Sequence, residues 1–246
     1  MLPAPSDLSD WYRAAWTGSD LVPPLEGHGR GERITRCFHE VIHNWTAPDR
    51  HYHTLVEHLQ PMIQHIVEDL ALVEGEQIRY RQRCLLLAAF YHDVRFDPQQ
   101  PDDLNVQESL EFWGDHHIYV RGNLSPDERL RADVAELIAA TDYGASTDRT
   151  HWDLRDYDLA GLADSWEDYK RKGDLIRAEV TGSGVKHTDA QIVTYARKQV
   201  QWLIRLLVQD RIYQDPSMAA SHELAARSNL GRDLAERIQW LEAVKA

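Results

Sequence analysis

Cysteine and positive charge are both scarce in this sequence. Its 246 residues include only two cysteines, Cys37 and Cys84, which are too few for a disulfide framework. Both lie in segments with a helical pattern, so reduced thiols in a cytoplasmic protein are expected. The formal net charge is -13, which argues against binding to nucleic acid or to anionic membranes, because both need clustered cationic side chains.

Long apolar runs are missing as well. No run approaches the ~20 residues that a membrane-spanning helix needs, and residues 1–9 lack the basic and apolar regions of a secretory signal. Even so, 43% of the residues are hydrophobic, which is enough for most of the chain to bury a core. The composition therefore predicts a folded cytoplasmic protein without membrane segments.

Proline and glycine are concentrated in residues 1–30, which predicts a partly irregular N-terminal arm. Trp11, Tyr12 and Trp16 could pin this arm to the body of the protein. The remainder, residues 31–246, has apolar positions at helical spacing and no lasting strand-like alternation. We therefore predict one all-α domain over this range.

Three helices are predicted in the first half of the domain, over residues 33–45, 52–75 and 76–93. The third is apolar around most of its later circumference, so it should be the central buried helix. A loop is expected from Arg95 to Asp103, where Pro98 and several polar residues interrupt the pattern.

Capping signals mark the second half. Ser125–Glu128 is a capping box with proline at the first helical position, and Thr188–Gln191 repeats the pattern at the start of a helix that should reach about Tyr213. Two shorter amphipathic helices are expected after that, over residues 217–228 and 231–245.

His92 and Asp93 close the strongly apolar run Cys84–Tyr91. Burying an imidazole and a carboxylate without partners costs several kcal/mol, and a bound metal cation would remove that cost. His53 and Asp158 are candidate co-ligands from other predicted helices. Since adjacent residues on a helix point about 100° apart, His92 and Asp93 can reach one ion only near a helix end or a distorted turn.

Two imidazoles and two carboxylates suit one divalent ion, which could be Mn²⁺, Fe²⁺, Co²⁺, Ni²⁺, Zn²⁺ or Mg²⁺. Four such ligands leave positions of a six-coordinate ion open to water and to a substrate oxygen. The ion would lower the pKa of that water and polarise the oxygen. The ligand set therefore favours hydrolytic chemistry.

Three segments resemble motifs of the HD superfamily of metal-dependent phosphohydrolases, and more narrowly of a predicted bacterial branch. They are Arg50–Leu55 (RHYHTL), Phe90–Pro98 (FYHDVRFDP) and Asp156–Leu162 (DYDLAGL). Further similar positions follow in order at Tyr169, Ile176–Glu179, Arg211–Tyr213 and Ala226–Leu230. The resemblance implies an HD-domain helical bundle with additional C-terminal helices. It also implies four metal ligands, which are His53, His92, Asp93 and Asp158.

The chain departs from the pattern of this branch at several positions. The branch usually has a second histidine four residues after the first, whereas His58 comes five residues after His53. With 3.6 residues per turn, His58 is expected to rotate away from the face that His53 occupies. An Asn-Glu pair reads Asn105-Val106 here, although Glu108 could replace the carboxylate, and a histidine expected after Thr141 is absent. The four ligands remain, but the residues that would tune them are fewer.

Four cations on or near these segments are candidate phosphate contacts, namely Arg50, Arg95, Lys170 and Arg177. Each of them, taken singly, is more often a surface or salt-bridged residue. For catalysis, Asp93 would orient the attacking water and Arg95 would neutralise charge on the phosphoryl oxygens. Glu108 is the candidate proton carrier.

His116 and His117 allow a second interpretation. Some HD proteins bind two metals through extra histidines in this interval, and such centres support diester hydrolysis or iron oxygenase chemistry. The simpler alternative is a polar helix end or an exposed turn, since Gly114 and Asp115 come just before the pair.

The sequence thus predicts a metal-dependent phosphoric ester hydrolase that acts on a small phosphoester, with a nucleotide as the favoured example. Two alternatives stay open. One is a regulatory HD protein that binds metal and ligand without turnover, and the other is a dinuclear-iron HD oxygenase. The expected partner is a small phosphorylated molecule rather than nucleic acid or a membrane, and a homo-oligomer is left open.

Overall fold

The computed structural model describes residues 8–18, 29–70, 76–122, 127–142, 153–182 and 189–245. Within these ranges the chain is helical and contains no strand, so the predicted all-α class is confirmed. Backbone contacts divide the chain into two compact units, Met1–Asp158 and Leu159–Ala246. Because this division falls inside residues 31–246, the single predicted domain stays a prediction.

The first unit contains seven α-helices among its described residues. They are α1 (Leu8–Thr17), α2 (Arg30–Trp45), α3 (Gln60–Leu70), α4 (Glu76–Tyr91), α5 (Asp102–Arg121), α6 (Glu128–Ala139) and α7 (Asp153–Asp158). A π-helix, Leu55–Leu59, directly precedes α3.

Helix α4 is the centre of this unit, as predicted. Every residue of Cys84–Tyr91 is buried, and α4 packs against α1, α3, α5, α6 and α7. The helix ends at Tyr91, so His92 and Asp93 lie in the turn that follows it. The strongest apolar segment of the chain therefore carries this pair directly into the core.

Helix α1 lies within the predicted N-terminal arm and is attached to the core. Trp11, Tyr12 and Trp16 are all buried, and Arg83 on α4 donates a hydrogen bond of 3.0 Å from Nε to the carbonyl of Ala15. The three aromatic residues thus pin this part of the arm, as the sequence suggested.

The helix predicted over residues 52–75 begins later than expected and starts irregularly. Residues 51–54 form a bend, and Thr54 caps the π-helix by accepting a hydrogen bond from the backbone N–H of Glu57. The N–H of Leu59 donates to the carbonyl of Thr54 at 3.1 Å, five residues back. This widened turn changes which side chains share a face. Residues 71–75 lie outside the described ranges.

Two further predictions in the first unit need correction. The cap of α6 is Asp127, whose Oδ1 accepts from the N–H of Leu130 at 3.2 Å, while Ser125 lies outside the described residues. His116 and His117 occupy neither a polar helix end nor an exposed turn, because α5 continues to Arg121 and buries both side chains.

The second unit contains a 3₁₀ turn (Ala160–Ala163) and the helices α8 (Trp166–Thr181), α9 (Asp189–Leu207) and α10 (Pro216–Lys245). Helix α9 ends before Tyr213. The two helices predicted after Pro216 are one, because α10 runs through Gly231. A glycine inside a helix costs about 1 kcal/mol relative to alanine, and the neighbours Leu230 and Asp233 are buried, so packing outweighs this cost.

None of the described helices has the length and apolarity that crossing a bilayer would need.

Candidate metal centre

The turn after α4 presents His92 and Asp93 to the same point. His92 is 1% exposed, and its N–H still donates to the carbonyl of Ala88 at 2.8 Å, as in a continuing helix. The indole Nε1 of Trp45 donates to the carbonyl of Phe90 at 2.9 Å, and its ring lies 5.5 Å from the His92 ring. The end of α4 is thus held from the side of α2.

Arg50 joins the two segments that carry the first three predicted ligands. Its Nη1 donates to the carbonyl of His53 at 3.1 Å and to the carbonyl of Asp93 at 2.9 Å, and its Nη2 donates to the carbonyl of Val94 at 3.1 Å. The residue is 8% exposed. The structure therefore gives Arg50 a positioning role between the His53 bend and the His92-Asp93 turn.

One oxygen of Asp93 is shared by three histidines. Its Oδ2 lies 3.2 Å from Nε2 of His92, 3.8 Å from Nε2 of His53 and 3.9 Å from Nε2 of His58. The carboxylate of Asp93 therefore forms the middle of the cluster, and three ring nitrogens face it.

Asp158, the last residue of α7, closes the cluster from another element. Its Oδ1 lies 3.0 Å from Nε2 of His58 and 3.8 Å from Nε2 of His92. The Nε2 atoms of His58 and His92 are themselves 3.1 Å apart. All four predicted ligands, together with His58, therefore meet in one place.

The three shorter distances, 3.0–3.2 Å, match the donor spacing around one cation, whereas the other three, 3.8–3.9 Å, are longer. Bonds from zinc to nitrogen or oxygen are about 2.0–2.2 Å, which places neighbouring donor atoms about 3.0–3.6 Å apart at angles near 90–110°. Donor atoms of His58, His92 and Asp93 all lie within 4.8 Å of one another. His53 and Asp158 lie beside this group of three but outside it.

The orientation of the His92 ring is fixed by the backbone. Its Nδ1 lies 2.9 Å from the carbonyl oxygen of Ala89. A carbonyl can only accept, so Nδ1 carries the proton and a neutral ring leaves the lone pair on Nε2, which points into the cluster. Such a hydrogen bond behind a ligating histidine sets its tautomer and raises its basicity.

The cluster attracts positive charge. Burial lowers the pKa of His92, but Asp93 and Asp158 outweigh burial and raise that pKa to about 9. Burial raises the pKa of Asp93, yet His92, His53 and His58 together bring it below its usual range. Two carboxylates in a buried set of imidazoles thus need a cation, either a proton or a metal ion.

His58 is a candidate ligand that sequence reasoning missed. Its predicted rotation away from His53 is wrong, since the two rings lie 5.5 Å apart and both face Asp93. The argument assumed 3.6 residues per turn, whereas His53 lies in a bend outside the helix and His58 lies on a π-helical turn. A bond from residue i to i+5 was not visible in the apolar spacing.

Asp102 is a second group that no motif marked. Its position reads as an ordinary acidic residue in the first turn of α5. Although the residue is exposed, its carboxyl group is partly enclosed, and this enclosure, followed by the charges of Asp93 and Asp142, raises its pKa. The charge of Asp93 therefore acts on Asp102, although no hydrogen bond or ion pair among the described residues joins Asp102 to the cluster.

The structure gives Arg95 and Glu108 other surroundings. The guanidinium of Arg95 donates to Oδ1 of Asn44 at 3.1 Å and lies 4.4 Å from the centre of the Phe112 ring. Glu108 is half-buried on α5, and within the described part of the chain no hydrogen bond or ion pair joins it to the cluster. Their catalytic roles stay predictions.

Lys170 and Arg177 belong to the second unit and are engaged there. The Nζ of Lys170 lies 3.1 Å from Oε2 of Glu236, and Nη2 of Arg177 lies 3.1 Å from Oδ1 of Asp174. Substrate contacts by these two cations stay predictions.

His116 is committed to a different network. Its Nδ1 lies 2.9 Å from the hydroxyl of Tyr91, and its Nε2 lies 3.1 Å from Oε2 of Glu40. His117 stacks on Trp16 at a centroid distance of 6.2 Å. The geometry therefore offers no support for these two histidines as ligands of a second ion at the cluster.

Comparison of the chain with protein-family models, with curated proteins and with solved structures finds no match. The geometry of the cluster and the motif resemblance are therefore the grounds for a functional interpretation.

Proposed function

We propose that this chain is a metal-dependent phosphohydrolase of the HD type that acts on a small phosphoester such as a nucleotide. One observation carries the proposal. Five side chains from separate segments of the first unit meet with their ring nitrogens and carboxylate oxygens 3.0–3.9 Å from neighbours in the cluster. They are those of His53, His58, His92, Asp93 and Asp158.

The cluster has a buried side and an accessible side. The side chains of His58 and His92 are 4% and 0% exposed, whereas those of His53 and Asp93 are each 17% exposed and that of Asp158 is 14% exposed. A small molecule could approach through His53, Asp93 and Asp158, while the buried histidines hold the centre rigid.

A divalent ion at these residues would supply an activated water and neutralise charge on a phosphoryl group. The protein's own contribution is preorganisation. Arg50 fixes the carbonyls beside His53 and Asp93, and the Ala89 carbonyl fixes the His92 tautomer. Asp93, with one oxygen turned towards three histidines, would orient the attacking water.

The test is release of phosphate or pyrophosphate from a panel of nucleotides and phosphomonoesters. The metal-depleted full chain would be assayed with Mn²⁺, Co²⁺, Ni²⁺, Zn²⁺ and Mg²⁺ in turn. We expect turnover that needs added metal, that His92→Ala abolishes and that the matched variant His65→Ala on α3 keeps. Equal rates for the wild type and His92→Ala with every metal would refute catalysis.

A second candidate function is binding without turnover, in which the chain retains metal and a phosphorylated ligand. The contacts of Arg50 and Arg95 favour it, because one side chain holds backbone carbonyls and the other contacts Asn44 and Phe112. Metal analysis, combined with equilibrium dialysis of the same nucleotides, separates the two functions. Binding of metal and nucleotide with no product would select this candidate.

A further inference from the structure

A second pair of histidines lies on the exposed face of α2. His39 and His43 are four residues apart, in the sequence His-Glu-Val-Ile-His, and both are exposed. Residues at positions i and i+4 of a helix are neighbours, with Cβ atoms roughly 5–6 Å apart. The two imidazoles can therefore reach one point in front of the helix.

These histidines line a groove that is separate from the cluster. The groove, formed by α2, α5 and the turn after α4, has a volume of about 780 Å³. Its lining includes Arg36, His39, Glu40 and His43 on α2 and Arg95 in the turn after α4. None of the five cluster side chains belongs to that lining.

We propose that His39 and His43 chelate one divalent transition-metal ion in this groove. Imidazole nitrogen suits Cu²⁺, Ni²⁺ and Zn²⁺, and two such ligands at fixed spacing bind more tightly than either alone, because the second bond forms within the same molecule. Water would complete the coordination sphere. This site is independent of the proposed phosphohydrolase function, because it shares no residue with the cluster.

The residue between the histidines decides what such an ion could do. In metalloproteases with the pattern H-E-x-x-H, the glutamate acts as general base beside the metal. Here Oε1 of Glu40 accepts from Nε of Arg36 at 3.0 Å, and Oε2 lies 3.1 Å from Nε2 of His116. Both carboxylate oxygens of Glu40 are thus engaged, so the site holds an ion without making Glu40 a base.

This assignment changes how metal stoichiometry is interpreted. A chain that binds two ions would suggest a dinuclear centre at His92 and Asp93. The groove instead provides a second ion on a different surface, with ligands His39 and His43. Only variants that remove each histidine set separately distinguish the two arrangements.

The experiment titrates the metal-depleted full chain with Ni²⁺ and with Zn²⁺ by calorimetry. We expect two ions for the wild type, one for His39→Ala/His43→Ala and one for His92→Ala/Asp93→Ala. Each single variant, His39→Ala or His43→Ala, should weaken the groove site by about 100-fold. The control His65→Ala should still bind two ions.

Equal stoichiometry and affinity in the wild type and His39→Ala/His43→Ala would overturn the proposal. A second measurement covers the case in which the cluster variant does not fold. Paramagnetic Ni²⁺ added to the wild type should broaden the ring resonances of His39 and His43, and unchanged resonances at saturating Ni²⁺ would also overturn it. One ion in both the wild type and His92→Ala/Asp93→Ala, with none in His39→Ala/His43→Ala, would refute the proposed function and leave the groove site intact.

Discussion

The Nε2 atom of His58 lies 3.0 Å from Oδ1 of Asp158, which ties the π-helical turn to the last residue of the first unit. The sequence motifs include Asp158 among the predicted ligands and leave out His58. The contact joins them, and it places His58 between two carboxylates, with Asp93 Oδ2 at 3.9 Å. His58 is therefore as central to the cluster as the residues that the motifs marked.

The first prediction concerns His58 as a metal ligand. His58→Ala should weaken binding of Zn²⁺ or Mn²⁺ by more than about 100-fold, because a nitrogen shared with Asp93 and Asp158 is lost. Removing a group that only hydrogen-bonds to a metal ligand weakens binding by about 10–100-fold, so a larger loss would indicate direct coordination. Competition with a chromophoric chelator would measure it, with His65→Ala as the matched control. Wild-type affinity in His58→Ala would exclude it from the ligands.

The second prediction concerns Arg50. Arg50→Lys should lower the free energy of unfolding by about 3 kcal/mol, because an ammonium group cannot span the three carbonyls that the guanidinium reaches, and hydrogen bonds from charged groups contribute about 1.5–3 kcal/mol each. Urea denaturation of the metal-free protein is the measurement. Arg129→Lys is the control, since the side chain of Arg129 is 79% exposed. Equal losses in the two variants would contradict a positioning role.

The third prediction concerns the tyrosine pair in the core. The hydroxyls of Tyr12 and Tyr91 are 2.5 Å apart, and the Tyr91 hydroxyl also contacts Nδ1 of His116. Tyr91→Phe leaves two buried groups with one partner fewer, which should cost about 1–3 kcal/mol of stability.

A double-mutant cycle tests whether the pair acts together. Tyr12→Phe/Tyr91→Phe should cost less than the sum of the two single variants, with a coupling of about 0.5–3 kcal/mol. Chemical denaturation of all four proteins gives the coupling directly. Strict additivity would mean that the hydroxyl contact contributes nothing.

The fourth prediction concerns thiol reactivity. Burial raises the pKa of the Cys37 thiol to about 12 and that of Cys84 to about 11, and a thiol reacts as its thiolate. At pH 8 both should stay protonated and unreactive towards a disulfide reagent in the folded protein, with reactivity rising as the pH approaches these values. Both should react at once in denaturant. Rapid labelling of the native chain at pH 8 would contradict their burial.

Much of the helical architecture could be predicted from the sequence, because a helix that packs on a core has apolar residues at regular spacing within its own segment. Apolar residues at helical spacing predicted α2 and α4 with bounds close to the observed ones. The segment around Pro98 was predicted as a loop. The charged pair at the end of an apolar run indicated the turn that carries His92 and Asp93. Helix ends were less predictable. Packing carries α10 through Gly231, although local propensity favours a break there.

Packing decides which side chains come into contact, and the spacing of apolar residues within one segment does not show these contacts. His58 lies on a turn that the N–H of Leu59 closes by donating to the carbonyl of Thr54, one residue further back than in an α-helix. Arg50 turns inward because three carbonyls converge on it. His116 is drawn to Tyr91 and Glu40 for the same reason. Periodicity shows which residues are buried, but contacts between distant segments arise only when the helices assemble and each buried polar group finds its partner.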